Sequence, residues 1–211
     1  DMMLICAKMS YWVYCTPDEY KEYEKYAPEN MGWREVTPEE LMEKGMLRKT
    51  DKGVYVLEGN SDIKYHPENY NNRTRYFFTD KDYNGYENDD TAENGSGTKM
   101  GMYEKDGHYI LVARGTARKP DWVDDNLKQG VGLGSDQYEQ VISVSKKASQ
   151  RVGKQKVTIT GHSMGGGTSS ASGIITGSDT YAFNPAGVHP NTVGKYRKTR
   201  ANSSNVYSIY A

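Results

Sequence analysis

The chain has 211 residues, 27 of them basic and 28 acidic, for a formal charge of -1. That length suffices for one domain with a sizeable core, and the balanced charge gives no electrostatic case for nucleic acid or an anionic membrane. No apolar run is long enough to span a bilayer, and the 18 tyrosines against 3 phenylalanines predict a wet, tyrosine-clad surface, because the ring covers apolar area while the hydroxyl stays in water.

Residues 2–14 read as a mostly buried helix ended at Pro17. Cys6 and Cys15, the only cysteines, match no zinc or C-x-x-C spacing and leave a disulfide between them open. The chain does not open on a basic stretch followed by an apolar one, as a secretory leader would. A second, polar helix is expected over Asp18–Tyr26, stopped by Pro28. Thr37-Pro38-Glu39-Glu40 carries an N-cap, a proline at the first helical position and an acidic first turn, with Gly45 closing the helix. These pieces are expected to pack at one edge of a sheet.

Val54–Leu57 and Arg75–Thr79 are strand-like, and Asn60–Asn72 between them reads as a polar loop with His66 as a surface residue. The acidic stretch 80–98 is expected to be a solvated loop. Asp80, Asp82 and Asn84 reproduce the opening of a calcium loop, but Thr91 stands where a bidentate glutamate is needed, so no cofactor is expected. Residues 99–104 and 109–113 form a hairpin around Asp106-Gly107. Its second arm runs into Arg114-Gly115-Thr116, where small residues permit the close backbone approach of an oxyanion donor, Thr116. Trp122, Val123 and Leu127 share one helical face, read either as core packing or as a lid over an acyl site. A long helix follows over about 136–152, packed through Tyr138, Val141, Ile142, Val144, Ser145 and Ala148.

Residues 157–167, Val-Thr-Ile-Thr-Gly-His-Ser-Met-Gly-Gly-Gly, organise the rest. A β-branched run ends in G-x-S-x-G and a small-residue, helix-like run follows, the context a nucleophile elbow requires. A strand reversing sharply into a helix leaves no room for side chains at Gly161 and Gly165 and lifts Ser163 to the tip. The Met164 N–H, at the positive end of the helix, faces the same space. His162, next to the nucleophile, is expected to pack beneath the turn and not to act as its base. His108, at the far end of its strand from Thr116, is expected to be structural or exposed. Thr180–Asn184 and Asn205–Tyr210 are the last strands. Strands separated by helices imply an α/β fold with a mainly parallel central sheet and helices on both faces.

On Arg114-Gly115-Thr116, Asp121-Trp122, Asn126-Leu127, the 161–166 motif and Tyr181-Ala182-Phe183-Asn184-Pro185, the sequence resembles the class 3 lipases, a family of fungal-type lipases and bacterial phospholipase A1-like proteins. The resemblance implies one α/β-hydrolase domain over 1–211. It implies Ser163 as nucleophile, Thr116 and Met164 as oxyanion donors, and a short lid helix over Asp121–Leu127 near Trp122, Val123 and Leu127. The implied substrate is a lipid ester, phospholipid or acylglycerol, met at a membrane surface. Gly167 and Asn184 depart from the family's alanine and serine. The family's acid and histidine follow its last strands, where this sequence stops. Downstream of Ser163 stand only Asp179, at the wrong end of its strand, and His189, at the right end. The domain is therefore expected to be truncated at its C-terminus, with a missing segment or a partner chain completing the site. Secreted members and delivered effectors restrained by an immunity protein belong to the wider family. A soluble-ester or thioester hydrolase, and a non-catalytic binding module, remain the alternatives.

Overall fold

The computed structural model describes residues 1–15, 19–70, 73–80, 98–115, 134–185 and 204–210. Pro17, Asp82, Asn84, Thr116, Trp122, Val123, Leu127 and His189 lie outside them. The first helix, α1 (Met2–Trp12), is capped by the Asp1 carboxylate, which accepts from the Met3 N–H at 3.0 Å. The described part of the segment read as a second helix, 19–26, is not α-helical but runs through turns into a short 3-10 helix, Glu24–Tyr26. Ring packing prevails over helical spacing there: Tyr23 and Tyr26 lie 5.4 and 5.1 Å from Tyr11, and Tyr20 stacks on Trp12 at 4.7 Å. The expected cap is present at α2 (Pro38–Glu43), where the Thr37 hydroxyl accepts from the Glu40 N–H, and Gly45 ends the turn at φ +75°.

Ten strands among the described residues form one sheet. β1 (Arg34–Glu35), β2 (Leu47–Lys49), β3 (Tyr55–Leu57), β4 (Asn60–Tyr70), β5 (Arg73–Thr79), β6 (Lys99–Lys105) and β7 (His108–Ala113) pair antiparallel. β7, β8 (Val157–His162), β9 (Asp179–Phe183) and β10 (Val206–Ile209) are parallel. The order is β10-β9-β8-β7-β6-β5-β4-β3-β2, with β1 beside β6. The sheet is thus mixed, not mainly parallel. Short reversals such as Asp106-Gly107, with φ +51° and +80°, join neighbours antiparallel, whereas parallel pairing needs a crossover. Among the described residues two such crossovers are α3 (Gly134–Val152), between β7 and β8, and α4 (Met164–Thr176), between β8 and β9.

Residues 60–70, expected to be a loop, are strand β4. It buries Ile63, Tyr65 and Glu68, and its polar outward positions hide the alternation. Pro67 is tolerated because its pairing with Tyr76 makes no ladder bond; the Tyr76 N–H turns away and donates to Glu35 Oε1 at 2.9 Å. His66 is accordingly a strand residue.

Helices cover both faces. Val141, Val144 and Ala148 of α3 pack with Leu111, Val157 and Ile159 on one side, and α4 lies beside α3 through Ala171 against Tyr138 and Ile142. On the other side α1 does not sit at an edge; Cys6, Met9 and Val13 lie on Ile110 and Val112. Several tyrosines are core residues and not surface cladding, Tyr65 and Tyr103 being almost wholly buried. Tyr65 remains satisfied by donating to Val36 O at 2.7 Å. Cys6 and Cys15 are both buried, and no disulfide joins them.

Candidate active site

The 157–167 stretch folds as a strand, a single turn residue and a helix. β8 ends at His162, and Ser163 takes φ 56° and ψ -121°, outside the basins a side chain normally occupies. Backbone bonds hold it there. The Ser163 N–H donates to Phe183 O at 3.0 Å, and its carbonyl accepts from the Gly167 N–H at 3.0 Å as the first bond of α4. Met164 is the first residue of that helix, so its N–H has no intrahelical carbonyl to meet. Ser163 is half-buried, neither sealed in the core nor projecting freely.

The glycines are there for space. A Cβ on Gly161 would meet the Gly165 carbonyl and come 2.8 Å from Ala113 O, and one on Gly165 would meet Ala113 O and reach 2.9 Å from Gly115 N. The end of β7 is therefore laid directly against the turn and the start of α4. Residue 116, next along the chain, lies outside the described residues, so the structure carries the approach only as far as Gly115.

Two residues that local sequence did not single out hold this junction, one through its side chain and one through its backbone. Tyr14, just past α1, accepts from the Gly115 N–H at 3.0 Å and donates to His162 O at 3.1 Å. Burial pushes its pKa up to about 12, so it remains a phenol. The His162 ring meets it edge-on at 5.9 Å, with Nδ1 3.5 Å from the phenol oxygen, as a residue packed beneath the turn would. Burial lowers the His162 pKa, leaving the ring neutral at pH 7. Lys99 is the second. Its carbonyl accepts from the Arg114 N–H at 2.8 Å, and its ammonium is buried 3.2 Å from Glu68. Arg114 is itself buried, and desolvation lowers its pKa to about 10. The Arg75 guanidinium lies 4.8 Å from the centres of the stacked Trp12 and Tyr20 rings and pairs with Glu29 at 3.3 Å.

Other assignments fall elsewhere. Asp179 opens β9 opposite Thr158, whereas Phe183 faces His162; four residues of strand separate the two ends by about 13 Å. His108 is at that same far end, its Nε2 2.7 Å from Thr158 Oγ1. Asp80 is buried, and among the described residues no group of three or more His, Cys, Asp or Glu is placed to hold a metal ion. No helix among them is long and apolar enough to cross a membrane.

Residues 79–211 match the family model described as "Phospholipase-like: Tle-like phospholipase domain". The match covers well over half the chain, which therefore belongs to this phospholipase domain family. The region that carries it contains the strand-to-helix turn, the end of β7 and the last parallel strands. The extracellular phospholipase A1 of Serratia liquefaciens is 37% identical over 101 residues, 48% of this chain. The matched stretch spans 31% of that relative's length.

Proposed function

We propose that this chain is a serine carboxylic-ester hydrolase of α/β-hydrolase type that cleaves acyl esters of phospholipids. The observation that carries the reading is Ser163 at φ 56°, between β8 and the free amides opening α4. Backbone strain of this kind costs roughly 1–3 kcal/mol, and a fold retains it where the displayed group has work to do. Membership of a phospholipase domain family supports lipid esters as the substrate class.

In this reading Ser163 Oγ attacks the acyl carbonyl. The oxyanion is held by the N–H of Met164 and by Thr116, which follows Gly115 in sequence. Acyl-enzyme formation releases the lysolipid, and water then releases the fatty acid. A serine hydroxyl is a poor nucleophile at neutral pH, so an imidazole must take its proton and pass it to the leaving alcohol. His162 is spent beneath the turn and His108 is at the opposite strand end. The base is assigned to His189 or to a histidine of a further segment or partner chain, and the orienting carboxylate to such a segment. Trp122, Val123 and Leu127 are assigned to a lid or acyl-binding face. The extracellular relative supports secretion, and restraint by an immunity protein would suit a delivered toxin.

Fatty-acid release from phosphatidylcholine vesicles, set beside a short water-soluble ester and a thioester, tests the substrate class. Release from vesicles that rises sharply above the lipid's monomer solubility is expected. Turnover confined to the soluble ester or thioester would replace the lipid reading with the soluble-hydrolase one.

A further inference from the structure

The proposed chemistry needs the nucleophile, just past β8, and the oxyanion residue, which follows Gly115 in sequence, held in one fixed relation. The parallel ladder between these strands reaches Ala113 and Gly161 and goes no further. Past that point the two chain segments diverge, one into the 163 turn and the other into Gly115. The backbone groups that face each other across this gap are the Gly115 N–H and the His162 carbonyl. A Cβ on Gly115 would be 3.0 Å from His162 O, so the two segments are close, but no direct bond joins them.

We infer that the Tyr14 hydroxyl is a positioning residue for the proposed reaction, the pin that sets the oxyanion segment against the nucleophile turn. A single oxygen extends the ladder by one rung, accepting from Gly115 at 3.0 Å and donating to His162 at 3.1 Å. It serves each segment at the residue adjoining the one with the proposed role: Gly115 precedes Thr116, and His162 precedes Ser163. Tyr14 itself is carried on the end of α1, which is fastened to the sheet by Cys6, Met9 and Val13 and by the Ser10 hydroxyl 3.1 Å from Thr160 Oγ1. The pin is therefore anchored outside both segments it joins, and the N-terminal helix contributes to a site formed by the rest of the domain. The hydroxyl also occupies the space that a Cβ on Gly115 would fill, so glycine and tyrosine are matched at this point.

The inference rests on the serine-hydrolase reading, and the test separates the two. Tyr14→Phe keeps the ring and removes the pin. Turnover of a soluble ester, the rate at which a fluorophosphonate labels Ser163, and hydrogen exchange at the Gly115 amide are compared with the parent protein, in a preparation with parental activity, below both unfolding midpoints. Loss of a whole oxyanion donor costs about 10²–10³ in kcat, so a displaced one should cost kcat roughly tenfold or more with KM within about twofold, while exchange at Gly115 rises. Gly115→Ala, which drives a Cβ into the same oxygen, should show the same kcat-selective loss, and in the double variant the two losses should not add. Parental kcat and labelling in Tyr14→Phe would make Tyr14 merely structural and overturn the inference alone. A parent protein that hydrolyses lipid without labelling at Ser163 would overturn the hydrolase reading, and this inference with it.

Discussion

Glu68→Gln should destabilise the protein severely, for a reason visible only in three dimensions. Glu68 and Lys99 are each 2% exposed, with 3.2 Å between Lys99 Nζ and Glu68 Oε1. Lys99 Nζ also lies 4.0 Å from the centre of the Phe77 ring. Desolvation lowers the Lys99 pKa, and Glu68 is the carboxylate that opposes it. Replacing the carboxylate by an amide leaves a buried ammonium with a neutral neighbour. Breaking a buried pair in this way costs about 3–5 kcal/mol, and Lys99→Met should cost a similar amount by stranding the carboxylate. At about 2–4 °C per kcal/mol for a chain of this size, each single variant should melt roughly 6–20 °C lower. The double variant Glu68→Leu with Lys99→Met should recover most of the loss, because apolar replacements of a buried pair are often neutral and the methionine can still pack on Phe77. The assay is urea and thermal unfolding of all four proteins. Single losses below about 1 kcal/mol, or a double variant as weak as the sum of the singles, would mean that the pair is not a buried, mutually dependent one.

Ser163→Gly should abolish ester hydrolysis and yet raise the unfolding midpoint, since glycine accepts φ 56° without the strain a side chain carries there; a less stable glycine variant would mean that the turn is unstrained. Gly161→Ala should prevent folding or cost more than about 3 kcal/mol, because its Cβ meets the Gly165 backbone, which cannot rotate aside as a side chain can; a folded alanine variant of parental stability would contradict the packing. Burial depresses the pKa of His66, His108 and His162 below 6.5. The unfolded chain therefore binds more protons between the folded values and 6.5, so stability is full above about pH 7 and falls as pH drops through that window. A urea midpoint unchanged between pH 7.5 and 5.5 would contradict this.

How much of this was legible in sequence depended on how local the cause is. The Thr37 cap, the Asp106-Gly107 reversal, the 136–152 helix and the G-x-S-x-G turn are each fixed by neighbours a few positions apart, and each stands where the residues put it. The pattern hides strand β4 because most of its positions are polar and Pro67 interrupts it; the partner that tolerates the proline, β5, is supplied by pairing and not by pattern. The 18–26 segment has helical spacing, but its tyrosines are spent on Tyr11 and Trp12, which only tertiary packing reveals. The antiparallel half of the sheet follows from short reversals that strand counting alone does not weigh. At the site, the turn and its glycines could be read from spacing. Tyr14 could not, because its partners are 101 and 148 positions away and a tyrosine ending a helix looks like any other packed ring.

In the proposed reaction one hydroxyl, lifted out of a strand-to-helix turn, performs the ester cleavage. Its most direct test is Ser163→Ala in a preparation that releases fatty acid from phospholipid vesicles, with the parent treated in parallel by a fluorophosphonate and mapped by mass spectrometry. A single adduct on Ser163 and a fall in turnover of about 10³-fold or more in the alanine variant are expected. An adduct on another residue, or lipid hydrolysis by the variant within about tenfold of the parent, would contradict the proposed reaction.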